Sequence, residues 1–197
     1  GDDTQNGSSL ARHLLCAVPQ LQDPNFRRSV ILMLEHEEEG ALGLVLNHEL
    51  DTVMDEVAQS VGMSWVGDPR QVVRFGGPVE PMRGWILHDR VDWDPAARSV
   101  MPGLWLTTSL DPVREAGNES LGGDDCALLF MLGYAGWGAT QLEAEIAAGS
   151  WVAVPIRDAP EGATSGVTSR WVLETRPEDM WDEALRSIGV DPARLVG

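Results

Sequence analysis

An unbroken apolar run, Cys126–Leu132, constrains the fold of this chain more than any other stretch of its sequence. Its length and composition predict a strand that is buried on both faces. The segment Gly133–Gly138 follows, and its glycines bracket Tyr134 and Trp137. Because glycine permits positive φ and close backbone approach, we predict a tight reversal of the chain beneath these two rings.

A helix and a further strand are predicted after the glycines. Thr140 and Glu143 have the spacing of a T-x-x-E capping box, which indicates the start of a helix. Leu142 and Ile146 would form its buried face, and Trp151–Val154 is typical of the next strand. A helix that starts after a glycine turn can bind an anion with its free N–H groups, whereas a capped start has already used them. The sequence leaves both interpretations open.

The charge of the chain argues against two classes of partner. There are 31 acidic and 14 basic residues, a net charge of −17, and every basic residue is arginine. Non-specific binding to nucleic acids and anionic membranes depends on clustered basic side chains, so we expect no direct nucleic-acid binding and no membrane association. No apolar run reaches the length of a membrane span, and no signal-peptide pattern is visible, which favours a cytoplasmic protein.

The two cysteines, Cys16 and Cys126, both lie in apolar runs, which predicts two reduced, buried thiols in a cytoplasmic protein. A disulfide between them stays open, because it depends on whether their strands are neighbours. Residues 1–9 are polar and are predicted to form a disordered tail. No linker-like segment divides the rest, so residues 10–197 are predicted to form a single domain.

The remaining pattern predicts an α+β fold. Two apolar runs separated by acidic residues predict a β-hairpin, and a second capping-box pattern at Thr52 and Asp55 predicts a helix. Strands outnumber helices without strict alternation, which favours α+β over a doubly wound sheet. The other predicted strands include Leu14–Val18, Ser29–His36, Ala41–Asn47, Gln71–Phe75, Arg83–His88, Gly103–Thr108 and Arg170–Glu174, and the last helix begins at Pro177.

Four stretches carry the most identifying residues. They are L-L-C-A-V-P-Q-L-Q-D-P-N-F-R-R-S-V at Leu14–Val30, E-H-E-E-E-G-A-L-G-L-V-L-N at Glu35–Asn47, G-G-P-V-E-P-M-R-G-W-I-L-H at Gly76–His88 and G-Y-A-G-W-G-A-T-Q-L-E-A-E-I at Gly133–Ile146. In this order they resemble the AlgH/YqgE family of bacterial proteins. The resemblance implies a compact α+β fold in which a bifurcated β-sheet curls toward a barrel around a central helix.

The resemblance implies less about activity. The family is known largely as proteins of unknown function with a transcriptional-regulator label, and it brings no catalytic residues to assign here. Ala139 and Thr140 stand where the family commonly has Pro-Gly, and His48 and Glu49 stand where it has a basic residue followed by Pro. The second departure removes a positive charge beside Asn47, which weighs against an anion site there.

A composite ligand pocket is the site that we predict from the sequence. Polar and glycine positions fall at the ends of predicted strands, where binding sites usually form. Arg28 could bind an anionic ligand through two hydrogen bonds, or it could pair with Asp23 or another acid. The predicted site residues are Asp23, Asn25 and Arg28 in one turn, Asn47 at a strand end, Gly76, Gly77 and Pro78 in a second turn, and Tyr134, Gly136 and Trp137 in a third.

Motifs for catalysis or metal binding are missing from the sequence: there is no G-x-S-x-G, P-loop, C-x-x-C or H-E-x-x-H. The acidic segment Glu35–Glu39 cannot direct all its side chains to one ion, because successive strand residues face opposite sides. We therefore expect no cofactor, no metal and a monomer or weak oligomer that binds a small ligand or a protein partner and regulates transcription indirectly. The alternative is an enzyme with a cleft around Arg28, Asn47 and His88.

Overall fold

The structure is a computed structural model that describes residues 9–21, 23–123, 126–157 and 166–196. The predicted disordered tail, residues 1–9, lies outside the described residues except for Ser9. The strands are β1 His13–Ala17, β2 Val30–Glu37, β3 Gly40–Val45, β4 Glu49–Val53, β5 Ser64–Trp65, β6 Val72–Phe75, β7 Val79–His88, β8 Arg98–Met101, β9 Leu104–Thr107, β10 Ser120–Leu121, β11 Leu128–Gly138 and β12 Trp151–Pro155. The helices are α1 Met54–Ser60, α2 Asp111–Glu115, α3 Gln141–Ala147, α4 Ser169–Glu174, α5 Pro177–Ser187 and α6 Pro192–Val196, and Pro24–Phe26 forms a short 3-10 helix.

A curled sheet of ten strands organises the described part of the chain. Its main path runs β12-β1-β2-β3-β11-β7-β9-β8, so β11 lies between β3 and β7. The short strand β6 also pairs with β11, in parallel, and pairs in turn with β4. Because β6 meets β11 at Met131–Leu132 and β3 meets it at Ala135–Gly138, one side of β11 divides between two branches. The fold is the predicted α+β class, with a bifurcated sheet curled into a half-barrel.

Among the described residues, three groups of buried side chains hold the sheet to its helices. The largest packs one face of the sheet against α4 and α5 and includes Leu32, Leu87 and Trp181. A second group surrounds Ile86 beneath α1. The third packs α3, through Leu142, against the opposite face of β2, β3 and β11. Strands can serve both faces because alternate side chains point to opposite sides.

The predicted turn at Gly133–Gly138 is wrong, because β11 runs through these residues as one strand. Gly133 does have a positive φ of 81°. It lies at an irregularity in the pairing of β11 with β7, between Leu132 and Tyr134. A glycine-rich segment has the composition of a turn, and only pairing with strands on both sides makes it a strand with a local bulge.

Both predicted capping boxes are wrong. Thr140 does precede α3, but its φ is 65° and its side chain makes no cap hydrogen bond. Gln141 Oε1 instead accepts a hydrogen bond from Gly138 N at 3.0 Å. The residue that precedes α1 is Val53, again without a side-chain cap, because Thr52 still belongs to β4.

The predicted strand Arg170–Glu174 is also wrong, since these residues lie in helix α4. Thr168 Oγ1 accepts a hydrogen bond from Trp171 N at 3.2 Å and so caps the helix. The apolar residues Val172 and Leu173 of α4 pack in the core. A short apolar run is compatible with either a strand or a helix, and here the cap favours the helix.

The two cysteines are buried and free, as predicted. Cys16 and Cys126 belong to different core groups, so no disulfide joins them. Burial raises the pKa of the Cys16 thiol to about 12 and also raises that of Cys126. Neither side chain is therefore an activated thiolate near neutral pH.

Candidate functional site

The predicted residues before β2 form a hydrogen-bonded loop. Asp23 caps the 3-10 helix by accepting a hydrogen bond from Asn25 N at 3.0 Å. Asn47 uses both ends of its amide, since Oδ1 accepts from Val30 N and Nδ2 donates to the Arg28 carbonyl, each at 2.9 Å. The Arg28 guanidinium lies over an aromatic ring of α5, 5.2 Å from its centroid. The amide of Asn47 thus has a structural role in joining this loop to the end of β3.

The connection from β6 to β7 crosses β11 at the predicted glycine turn. These two strands lie on opposite sides of β11, so the chain must pass over it. A Cβ on Gly77 would overlap the backbone of Tyr134, and a Cβ on Gly133 would overlap Gly77. Gly76 is held on both sides, because its carbonyl accepts from β3 and its N–H donates to β11, both at 2.8 Å. Gly76 and Gly77 are buried in this backbone contact, and Pro78 follows them at the surface.

A groove of about 430 Å³ opens on the sheet around the outer end of β11. We name it the β11 groove. Trp137 contributes only its margin, because the side chain is 7% exposed and its Nε1 donates to Glu145 at 3.2 Å beneath α3. The groove therefore takes its open surface from the other lining residues. These are Glu35, Glu37, Glu39, Gly40, Ala41, Leu42, Val79, Tyr134 and Gly136.

Strand register explains the floor of the groove. Glu37 pairs with Gly40, which pairs in turn with Gly138. These residues share one face of the sheet, since directly paired residues point to the same side. In the row that runs from Glu37 on β2 across β3 to β11, the other two positions are therefore glycines, and no other side chain covers the backbone there. The two neighbouring rows of paired residues are Glu37, Gly40 and Gly138, and Glu35, Leu42 and Gly136.

One backbone edge of β11 is unpaired at the groove. The last contact of β11 with β7 is between Tyr134 and Val79, the first residue of β7, so no strand among the described residues covers that side of Gly136–Gly138. The Gly138 N–H donates to a side chain rather than to β3. The Trp137 carbonyl points the other way, since it lies 2.5 Å from where a Cβ on Gly40 would be. Because successive residues alternate, the N–H and C=O of Gly136 point to the open side, away from β3.

The rim of the groove carries an aromatic and ionic cluster. A hydrogen bond to the Glu80 carboxylate raises the pKa of Tyr134, with a smaller contribution from burial. The Arg83 guanidinium lies 4.2 Å from the ring centroid of Trp85 and 5.8 Å from that of Tyr134. It also approaches Glu80 at 3.5 Å, so its charge is partly compensated. Tyr134 is thereby held in place between the core and the groove.

The lining of the groove is acidic. Glu35 pairs with Arg98 at 2.8 Å, whereas Glu37 and Glu39 are exposed and take part in no ion pair found within the described ranges. Across all the residues that the structure describes, no group of three or more His, Cys, Asp or Glu side chains is placed to hold a metal ion. No described helix is both long and apolar enough to cross a membrane. The free carboxylates are therefore available to a mobile cation or a cationic side chain.

His88 is a fully used core residue. It is 0% exposed, its Nε2 lies 2.8 Å from Thr107 Oγ1, and its Nδ1 accepts from Arg90 N at 3.1 Å. Since Nδ1 accepts a hydrogen bond, we assign the ring proton to Nε2, which donates to Thr107. Burial lowers the pKa of His88 to about 4, against the opposing influence of Asp89 and Asp94. The structure does not bring His88 to the groove.

Sequence reasoning does not identify most of the groove. Glu35, Glu37, Leu42 and Val79 line it, yet in the sequence the acidic residues are typical of a solvated hairpin loop. The informative signal is the pairing register of β2 with β3, which shifts after Met33 and places Glu35 and Glu37 on the groove side. Alternation along a single strand does not reveal such a shift.

Known proteins similar to this chain cover nearly its whole length. A family model described as AlgH-like matches residues 14–193. A UPF0301 protein of Myxococcus xanthus is 45% identical over 190 residues, which is 95% of this chain and 96% of that protein. A UPF0301 protein of Xanthomonas oryzae is 40% identical over 190 residues, with 95% and 93% covered.

Two solved structures resemble the fold. The solution structure of the AlgH protein from Pseudomonas aeruginosa has a TM-score of 0.69 at 30% identity, covering 96% of this chain and 94% of that one. The crystal structure of DIP2367 from Corynebacterium diphtheriae has a TM-score of 0.69 at 20% identity, covering 94% and 91%. The second likeness bears on the fold alone. These comparisons confirm the resemblance seen in the four sequence stretches.

Proposed function

This chain belongs to the AlgH-like family, and from that premise we propose that it is a non-catalytic binding protein that recognises a positively charged ligand in the β11 groove. One observation carries the proposal: two glutamates without an ion pair among the described residues, the ring of Tyr134 and a glycine floor line the same open groove. Carboxylates attract a cation directly, and an aromatic face adds a favourable interaction with it.

The overall charge supports this choice of ligand. A net charge of −17 raises the local concentration of cations and repels anions. The two arginines near the groove are each compensated, Arg98 by Glu35 and Arg83 by Glu80. A cationic ligand would therefore meet Glu37 and Glu39 as the uncompensated charges.

The enzyme alternative has less support from the positions of its residues. Asn47 is fully hydrogen-bonded to backbone, the Arg28 guanidinium stacks on α5, and His88 is buried with both ring nitrogens partnered. Catalytic groups must reach one reacting atom, and none of these three lines the β11 groove. We therefore favour a binding protein over an enzyme.

A regulatory role is the use that we propose for such binding. The transcriptional effect that the family label suggests would then pass through a bound partner, because the negative charge of the chain opposes direct contact with DNA. We place this activity in the cytoplasm, for a monomer or weak oligomer. The two free cysteines fit a reducing compartment.

Titration of L-arginine amide into the isotope-labelled protein, followed by amide chemical shifts, tests the proposed function. We expect the largest shifts at Leu42, Tyr134 and Gly136, and no comparable change with malate. In a Glu37→Gln, Glu39→Gln double variant, arginine amide should bind about fivefold more weakly, since two exposed charge pairs of about 0.5 kcal/mol each together contribute about 1 kcal/mol.

Glu56→Gln provides the matched control. Glu56 is an exposed glutamate of α1 that does not line the groove. Its substitution should leave the affinity for arginine amide unchanged. Shifts that spread evenly over the acidic surface, or a double variant that binds as tightly as the wild type, would contradict the proposed function.

A further inference from the structure

We propose that the open edge of β11 at Gly136–Gly138 accepts an extended, arginine-containing segment of a partner protein as an added strand. This inference rests on the proposed function and names the occupant of the same groove. Addition of a peptide strand to an exposed sheet edge is a general mode of recognition, in which backbone hydrogen bonds give affinity and side-chain sites give specificity.

The backbone groups required for strand addition are present. The N–H and C=O of Gly136 point to the side of β11 that β7 leaves uncovered, as the register of the two strands requires. The carbonyl of Gly138 points the same way. An added strand would therefore continue the line of β7 beyond Val79, where the described residues supply no strand.

The contacts among the described residues do not require glycine at this edge. A Cβ on Gly136 would lie 3.5 Å from the ring of Tyr134 and 3.8 Å from Val79, which is ordinary contact. A Cβ on Gly138 would have only Gln141 nearby, at 3.9 Å. Neither glycine has a positive φ. Glycine within a strand weakens it and often marks the place where another backbone approaches closely.

The floor of the groove fits an arginine side chain from the added strand. Glu37 lies three strand spacings, about 14 Å, from an added strand at the open edge of β11, and the intervening positions are Gly138 and Gly40. An extended arginine side chain can lie across this bare floor and meet the carboxylate of an extended Glu37 side chain, while its methylenes cover backbone. Leu42 and Val79 offer apolar contacts to neighbouring side chains of the segment.

Charge decides between the possible occupants. A second copy of this chain would bring another net charge of −17 to an acidic groove, which disfavours self-association there. An acidic or neutral segment would leave Glu37 and Glu39 without a partner. A segment with arginines alternating with apolar residues satisfies both the charge and the side-to-side alternation of a strand.

Calorimetric titration with capped synthetic peptides tests the inference. The first probe is a hexapeptide of alternating arginine and valine. The second has the same sequence with every backbone nitrogen methylated, so that it keeps the charge and loses strand pairing. The third replaces arginine with glutamate. We expect the first to bind, the second to bind at least about tenfold more weakly, and the third not to bind.

Two protein variants sharpen the test. Gly136→Val places a branched side chain at the open edge, where its Cβ would make ordinary contacts, and it should weaken the first peptide at least about tenfold. Ser120→Val is the matched control, at an exposed position of β10 outside the groove, and should bind as the wild type does. If Gly136→Val does not fold, the Glu37→Gln, Glu39→Gln variant takes its place, with a loss of about fivefold expected.

The outcomes separate the inference from the proposed function. Equal binding of the methylated and unmethylated peptides, or binding of arginine amide with no binding of the peptide, would overturn strand addition and leave the groove as a cation site. No binding of arginine amide or of any peptide would overturn the proposed function as well. Binding of the glutamate peptide as tightly as the arginine peptide would contradict both.

Discussion

Strand β11 uses glycine for opposite purposes at its middle and at its outer end. At Gly133, a Cβ would overlap the backbone of the connection that crosses the strand, and the surrounding strands are paired on both sides. At Gly136, within the described part of the chain, a Cβ would meet ordinary contacts and one backbone edge lacks a strand partner. The first glycine is required by the fold. The second is not required by the contacts among the described residues, and we propose that a ligand or another chain uses the space it leaves.

The same contrast holds for polar groups. Beside the inner end of β11, His88 pairs across from Leu128 and has both ring nitrogens satisfied. Near the outer end, Glu37 and Glu39 are exposed without an ion pair among the described residues. Polar residues alone therefore do not indicate a site, and it is the unpaired state of their groups that distinguishes the outer end.

The largest predicted effect is at Gly77, where the connection from β6 to β7 crosses β11. Gly77→Ala should lower the free energy of unfolding by about 3 kcal/mol or more, because a positive φ of 150° and an overlap with Tyr134 act together. Urea denaturation of both chains measures the change. A loss below about 1 kcal/mol would show that the crossing can relax, and would remove the contrast between Gly133 and Gly136.

The next largest effect is a loss of stability on acidification, which acts through buried His88 beside the inner end of β11. The unfolded chain binds a proton at His88 near pH 6.5, whereas the folded chain does so only near pH 4. The contribution of neutral His88 to the free energy of unfolding is therefore present above about pH 6.5 and is lost as the pH decreases, with about 2 kcal/mol lost at pH 5. Urea unfolding at pH 7 and pH 5 measures the loss.

His88→Gln is the reference for the acidification experiment. The variant lacks the titrating ring, so its stability should fall less than that of the wild type between the same two pH values. Parallel pH dependence in the two proteins would contradict the assignment of His88 as a neutral core residue.

The smallest predicted effect is a gain. Gly136→Ala should raise the free energy of unfolding by about 0.5–1 kcal/mol, because alanine loses less conformational freedom than glycine and the added Cβ has room. Thermal or urea unfolding detects the shift. Destabilisation by the same amount or more would mean that the fold itself requires this glycine.

Much of the fold is predictable from the sequence, because buried strands such as Ser29–His36 and the helix that begins at Pro177 have clear apolar patterns. The course of β11 is not predictable from the sequence, because its glycines form a strand only through pairing with β3 and β7, which come from distant parts of the chain. Of the predicted site, Tyr134, Gly136 and Trp137 line the groove. The glutamates opposite them depend on strand register, which a single sequence does not specify.

Amide hydrogen exchange at Gly136 is the most direct measurement of the open edge. In the free protein we expect the Gly136 N–H to exchange rapidly, whereas the Trp137 N–H, which points toward β3, is protected. Saturation with the arginine–valine peptide should slow exchange at Gly136 by at least about tenfold. A Gly136 amide that is already protected in the free protein, or one that exchanges unchanged in the peptide complex, would contradict the account.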